Sequence, residues 1–219
     1  MRRVGVFIDY SNVHAGARDA FMLDQAAGHR GNINPDFLAK RLALHDPRTS
    51  ERRRETHALE FVKVFRGAPC PTRDPRGALM EAKRVVQWEK WGATVLRHTL
   101  DYGQGRAAEK GVDVRLSLAL LKDAMAGVMD VAILASADKD FRYALLEVLD
   151  VSDVQVEVAT WEAISGGLAV GRIELCPERP DMDEVPCHLL QRGDFVRLED
   201  KVDYRSRPAP PNWKGSTIF

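Results

Sequence analysis

Cysteine is scarce in this chain. Only Cys70, Cys176 and Cys187 occur in 219 residues, an odd number with no Cys-x-x-Cys pair, which argues against both a disulfide framework and a cysteine zinc site. A reducing compartment is the simplest inference. His14, His29, His45, His57, His98 and His188 show no His-x-x-x-His spacing, so a zinc hydrolase is disfavoured. Net charge is also missing: 32 Lys+Arg balance 32 Asp+Glu, and any basic surface must be local. Long apolar runs are absent too. Met1-Arg2-Arg3 leads into Val4–Ile8, which Asp9 interrupts before a signal segment could form, and no later run approaches a membrane span. The expectation is a cytoplasmic protein with no membrane partner. There is no internal repeat or low-complexity block.

What is present is enough apolar residue, 45%, to fill the core of one large α/β domain or of a domain with an appendage. The most informative stretch is Val131-Ala132-Ile133-Leu134-Ala135, which ends abruptly in Ser136-Ala137-Asp138-Lys139-Asp140-Phe141. An unbroken run of five apolar residues fits a strand buried on both faces, as in a parallel sheet covered by helices. Similar runs predict strands at 4–8, 57–65, 93–96 and 154–159. Between them the pattern predicts helices at about 13–24, from Pro35 with Asn34 as N-cap, at about 77–91, from Gly111 to Gly127, and at about 141–149. Alternating strands and helices give an α/β fold with a mainly parallel sheet of about five strands and helices on both faces. Beyond Gly167 the pattern weakens, with a short strand or helix end at 171–176, another strand at 193–202, and a tail marked by Pro208, Pro210 and Pro211. Residues 1–175 read as the domain and 176–219 as a C-terminal extension whose tail lacks fixed structure by itself.

In such sheets ligands bind outside the carboxyl ends of the strands. Asp9 lies at that end of the first strand, and Asp138 and Asp140 lie at that end of the fourth. A helix running antiparallel to the strands begins at the same edge, so Asp113 at a helix start is expected there as well. Each has a purely structural explanation, as a helix cap, a partner of a helix dipole or an Asx-turn. Four carboxylates at one edge would repel one another unless a cation neutralised them, and an oxygen-rich site suits Mg²⁺ or Mn²⁺. Such a site can activate water against a phosphodiester.

Three segments carry a family resemblance. Phe7-Ile8-Asp9-Tyr10-Ser11-Asn12, Lys110-Gly111-Val112-Asp113-Val114 and Ser136-Ala137-Asp138-Lys139-Asp140-Phe141 resemble, in order and approximate spacing, the three motifs of the NYN family, PIN-like nuclease domains of the LabA-like group. The likeness covers about residues 1–160. It implies a PIN-like three-layer α/β/α fold and metal-dependent cleavage of RNA, with Asp9, Asp113, Asp138 and Asp140 around the metal. It also implies that Asn12 and Ser136 orient carboxylates or phosphate and that Lys110 stands near the substrate. PIN domains often carry a further acidic residue on an early helix. Asp36 and Asp46 are the nearest candidates here, neither in a matching motif, and the position stays open. Residues 176–219 have no counterpart, which leaves an edge addition, a homo-oligomer contact or a protein-partner segment.

The leading expectation is therefore a ribonuclease acting on single-stranded RNA, with Arg66, Arg73, Arg76, Arg106, Lys110 and Lys139 holding the backbone by salt-dependent contacts. The alternative is a PIN-like module that binds RNA or protein with little or no turnover. A phosphatase of the haloacid dehalogenase type ranks low, because its usual second Asp is Ser11 here.

Overall fold

The computed structural model describes residues 1–21, 31–49, 51–53, 56–103, 105–162, 185–211 and 213. Six strands form one sheet: β1 Arg2–Asp9, β2 His57–Ala68, β3 Ala93–Thr99, β4 Val131–Ala135, β5 Gln155–Trp161 and β6 Cys187–Leu190. Their order is β3-β2-β1-β4-β5-β6, and every pairing is parallel. The chain adds β2 and β3 on one side of β1, then returns to add β4, β5 and β6 on the other. The boundary between β1 and β4 is thus the topological switch point, the place where open α/β sheets form a crevice at their carboxyl edge.

The helices are α1 Tyr10–Ala20, α2 Pro35–Leu44, α3 Pro75–Lys90, α4 Val112–Met125, α5 Arg142–Val151 and α6 Arg192–Leu198, with a 3₁₀ turn at Lys139–Phe141 before α5. They cover both faces. Val4, Val6 and Ile8 of β1 pack with Val13, Leu38, Leu42 and Phe195 on one face. Phe7 packs with Leu116, Leu120, Phe141 and Leu145 on the other. The period-two alternation of β1 therefore feeds two cores, the reason for three layers. β4 is buried at all five positions, as its unbroken apolar run implies.

Local chemistry sets several boundaries. Asn34 caps α2 by accepting from the amides of Asp36 and Phe37 at 3.0 and 3.2 Å, ahead of Pro35 at the first helical position. α1 begins at Tyr10 rather than near residue 13, because Asp9 accepts from the Asn12 amide at 3.3 Å and caps the helix directly. The strand expected at 193–202 is instead α6. Asp194 accepts from the Gln191 amide at 3.1 Å, a helix-start bond, and buried Phe195 and Leu198 stand three residues apart on one helical face.

Part of the C-terminal extension, whose role the sequence leaves open, is an edge addition to the sheet. Cys187–Leu190 forms its sixth strand, and the chain after α6 returns to residues 32–34: Asn34 donates to Leu198 O at 2.8 Å, and Asp200 donates to Asn32 O at 2.7 Å. The expectation for 171–176 lies outside the described residues. Among the described residues, no helix is long and apolar enough to cross a membrane.

Candidate active site

Two strand ends meet through one hydroxyl. At the switch point Ser136, fully buried just after β4, donates from Oγ to Asp9 Oδ2 at 3.1 Å. The same oxygen accepts from the Asp138 amide at 3.1 Å. Asn12 closes a second tie, its Oδ1 accepting from the Ala137 amide at 2.8 Å. Asp138 in turn accepts from the Asp140 amide at 3.0 Å, starting the 3₁₀ turn. Asn12 lies on the first turn of α1, immediately after β1, so helix start, β1 and β4 are fixed relative to one another. Ser136 commits its proton to Asp9 and a lone pair to the Asp138 amide, and so orients both strand ends.

A third acidic residue joins from a loop. Glu109 Oε1 accepts from Ser11 Oγ at 2.6 Å and also from the Gly67 amide. Gly67 is required for this approach: a Cβ there would stand 2.6 Å from Glu109 Cγ and would collide with Leu100. The loop that delivers Glu109 is pinned by a bridge between Asp101 and Ala108 and by an ion pair between Asp101 and Lys110. Glu109 has no signal in the sequence beyond its place beside Lys110-Gly111. Its role depends on a glycine 42 residues away.

Burial pushes the Asp9 carboxyl up to about 6. The Asn12 amide and Ser136 hydroxyl pull it back down, while the charges of Glu109 and Asp138 add to the rise. Desolvation and like charge therefore both disfavour the ionised form. An all-oxygen donor set under that repulsion fits a hard divalent cation, which would offset both the lost hydration and the like charge.

The remaining candidates are dispersed along the edge. Asp113 is exposed on the first turn of α4, after Gly111 in the left-handed conformation (φ 73°), and Asp140 is exposed in the 3₁₀ turn. Neither carboxylate bonds to another described residue. The expected convergence of four carboxylates is thus reduced: among the described residues no group of three His, Cys, Asp or Glu side chains is placed to hold one ion. Asp36 pairs with Lys40 at 2.8 Å, and Asp46 accepts from the amides of Arg48 and Thr49.

Of the basic residues, Arg73 and Arg76 are exposed in the β2–α3 connection and the first turn of α3, and Arg106 and Lys139 are also exposed. Lys110 is exposed but paired with Asp101. Arg66 is a correction to the sequence expectation. Strand alternation turns it away from Phe65 and Gly67 into the opposite layer, where it pairs with Glu81 at 3.0 Å and is only 15% exposed. Its guanidinium lies over the rings of Tyr10 and Trp88, at 4.8 and 5.5 Å from their centroids. Its ion pair and ring contacts brace the fold, and it is not a freely exposed backbone-binding cation.

Comparison with known proteins agrees with this architecture. A protein of unknown function from Vibrio parahaemolyticus, known from its crystal structure, is 16% identical and superposes with a TM-score of 0.50 over 72% of this chain and 80% of its own. That likeness concerns the fold. No curated protein matches. The family model of the NYN domain matches residues 3–169, a span that holds Asp9, Glu109, Asp113, Ser136 and Asp138. The chain belongs to the NYN domain family, within the PIN-like nuclease superfamily.

Proposed function

We propose that this protein is a divalent-metal-dependent ribonuclease that hydrolyses phosphodiester bonds of single-stranded RNA at the β1–β4 crevice. The observation that carries the reading is the Asp9–Ser136–Asp138 chain, in which a half-buried carboxyl is pushed up to about 6 and is tied through one fixed hydroxyl to the backbone amide of Asp138. Asp9 and Asp138 would hold Mg²⁺ or Mn²⁺, with Glu109 close to Asp9 and with Asp113 and Asp140 facing the same edge. A bound divalent cation supplies water activation and charge neutralisation at the phosphate. Ser136 fixes the orientation of Asp9, and Asn12 fixes the backbone turn that presents Asp138. Arg73, Arg76 and Lys139 stand exposed around the edge to meet the RNA backbone, making binding salt-dependent.

A second reading is a PIN-like module that holds RNA or a protein with little turnover. It is favoured by the absence, among the described residues, of a three-carboxylate group able to hold one ion. Incubation of the purified protein with end-labelled single-stranded RNA and Mn²⁺ or Mg²⁺ separates the two. Cleavage that disappears with EDTA, with Asp9→Asn and with Asp138→Asn supports the ribonuclease. Cleavage surviving in both variants excludes this site, and retained RNA binding without cleavage of any tested RNA supports the module.

A further inference from the structure

A cavity opens beside the acidic site, between α1 and the ends of β4 and β5. It has a volume of about 260 Å³, and its apolar wall includes Val13, Leu38, Ala135, Trp161 and Leu190. Asn12, Ser136 and Ala137 also line it, and these residues carry the hydrogen bonds that organise the Asp9–Asp138 turn. Cavity and acidic site are therefore neighbours that share a wall.

α1 gives the cavity its polarity. Asn12, Gly16 and Asp19 line it, and their spacing places them on one helical face. Gly16 lets the helix lie against Trp161, since a Cβ there would stand 3.1 Å from Trp161 Cδ1. The indole is fixed, with Nε1 donating to Val13 O at 2.9 Å. Asn12 uses its oxygen on the Ala137 amide, and its NH₂ group has no partner among the described residues. The Asp19 carboxylate has none either, and it is exposed at the far end. Seven helical residues separate the two groups by about 10 Å along the axis. The lining thus has a donor beside the acidic site, apolar walls with a fixed indole, and an acceptor carboxylate at the far end.

No cationic side chain lines this space among the described residues, and Asp19 would repel an anion, so phosphate does not belong there. A flat aromatic group carrying hydrogen-bond donors does. We propose that the cavity is a nucleobase subsite, which takes the base of a nucleotide flanking the phosphate at Asp9 and Asp138 and favours bases with an exocyclic amino group over uracil. This rests on the RNA reading above and adds to it a base preference for the nucleotide beside the cleavage point. Asp19 would accept from the amino group, as carboxylates do from cytosine N4.

The test needs neither metal nor turnover. Adenosine, cytidine, uridine and ribose are titrated into the isotopically labelled full chain in EDTA, following the Gly16 amide and the Trp161 indole N–H by NMR. Adenosine and cytidine should shift both signals saturably and bind at least about 5-fold more tightly than uridine, a preference of roughly 1 kcal/mol. Asp19→Asn should erase the preference, and Ala20→Phe should abolish binding by filling the cavity. Shifts equal to those from ribose, no saturable shift with any nucleoside, or wild-type binding by folded Ala20→Phe would each overturn the proposal. If Ala20→Phe does not fold, the surface change Asp19→Asn still decides, because an unchanged base preference there refutes the role of Asp19. Nucleoside binding without RNA cleavage would leave the subsite standing and remove the nuclease. Cleavage without nucleoside binding would do the reverse.

Discussion

Ser136 Oγ lies 3.1 Å from Asp9 Oδ2 and 3.1 Å from the Asp138 amide nitrogen, so one side chain sets the relation between the ends of β1 and β4. Ser136→Ala removes both bonds without altering either carboxylate. Groups that orient metal-binding carboxylates typically contribute 10–100-fold to activity or metal affinity, and a loss of about that size in Mn²⁺-dependent RNA cleavage is expected. Stability should fall by only about 1–2 kcal/mol. Cleavage kinetics and a denaturant titration on one preparation measure the two effects separately.

Asp9 gives a pH signature in chelated protein. Its folded value of about 6 lies above the ordinary 3.8, so the folded state holds this proton more tightly than the unfolded state. Stability from this group is full below about 3.8 and is lost as the pH rises towards 6. Asp9→Asn, which cannot ionise, should therefore be more stable than wild type at neutral pH in EDTA, by about 1–3 kcal/mol. Equal melting temperatures at neutral pH would show that the Asp9 environment is not destabilising.

The Arg53–Glu157–His188 cluster should act in the opposite sense. Glu157 is fully buried, Arg53 is 8% exposed, and His188 Nε2 stands 2.9 Å from Glu157 Oε2. Burial pushes His188 down, outweighing the attraction of Glu157. Burial would raise Glu157, but the hydrogen bonds from His188 and Arg53 hold it below its usual value. Both groups thus bind protons less well folded than unfolded, and their contributions fade on acidification, first below the ordinary histidine value of 6.5 and then below the ordinary glutamate value of 4.5. Glu157→Gln removes the direct ion-pair partner of buried Arg53 and should cost about 3–5 kcal/mol at pH 7. Thermal melts between pH 4 and 8 check both statements.

The segment after α6 should be structurally required. Asp200 is buried and accepts from Trp88 Nε1 at 3.1 Å and from Tyr204 OH at 2.5 Å. Trp88 lies against Tyr10, with centroids 4.4 Å apart, and Tyr10 follows Asp9. Asp200→Ala strands two buried donors and should cost about 2–4 kcal/mol. Unfolding followed by tryptophan fluorescence would detect it, and an unchanged midpoint would refute the bracing role.

Much of this was legible in the sequence because it is local. The run Val131–Ala135 encodes a strand buried on both faces, and the turn that follows encodes Asp138. Asp9 after Val4–Ile8 and Asn34 before Pro35 encode helix starts through side-chain capping. These features depend on residues within one or two turns of each other. The segment Arg192–Leu198 is ambiguous in sequence because Phe195, Val196 and Leu198 also fit a short strand, and only burial of Phe195 and Leu198 on one face, with Val196 exposed, separates the two.

By itself, then, the sequence determined the elements as far as β5, the edge on which Asp9 and Asp138 lie, and the family motifs. The tertiary structure decided which charges meet. It brought Glu109 to Ser11 across 98 residues of sequence through space left by Gly67, turned Arg66 inward to Glu81, and left Asp113 and Asp140 at the surface. The physical reason is that periodicity and capping act over a few residues, whereas the approach of two side chains depends on strand order, on the face each residue takes and on the volume its neighbours leave. Those quantities exist only once the layers have packed.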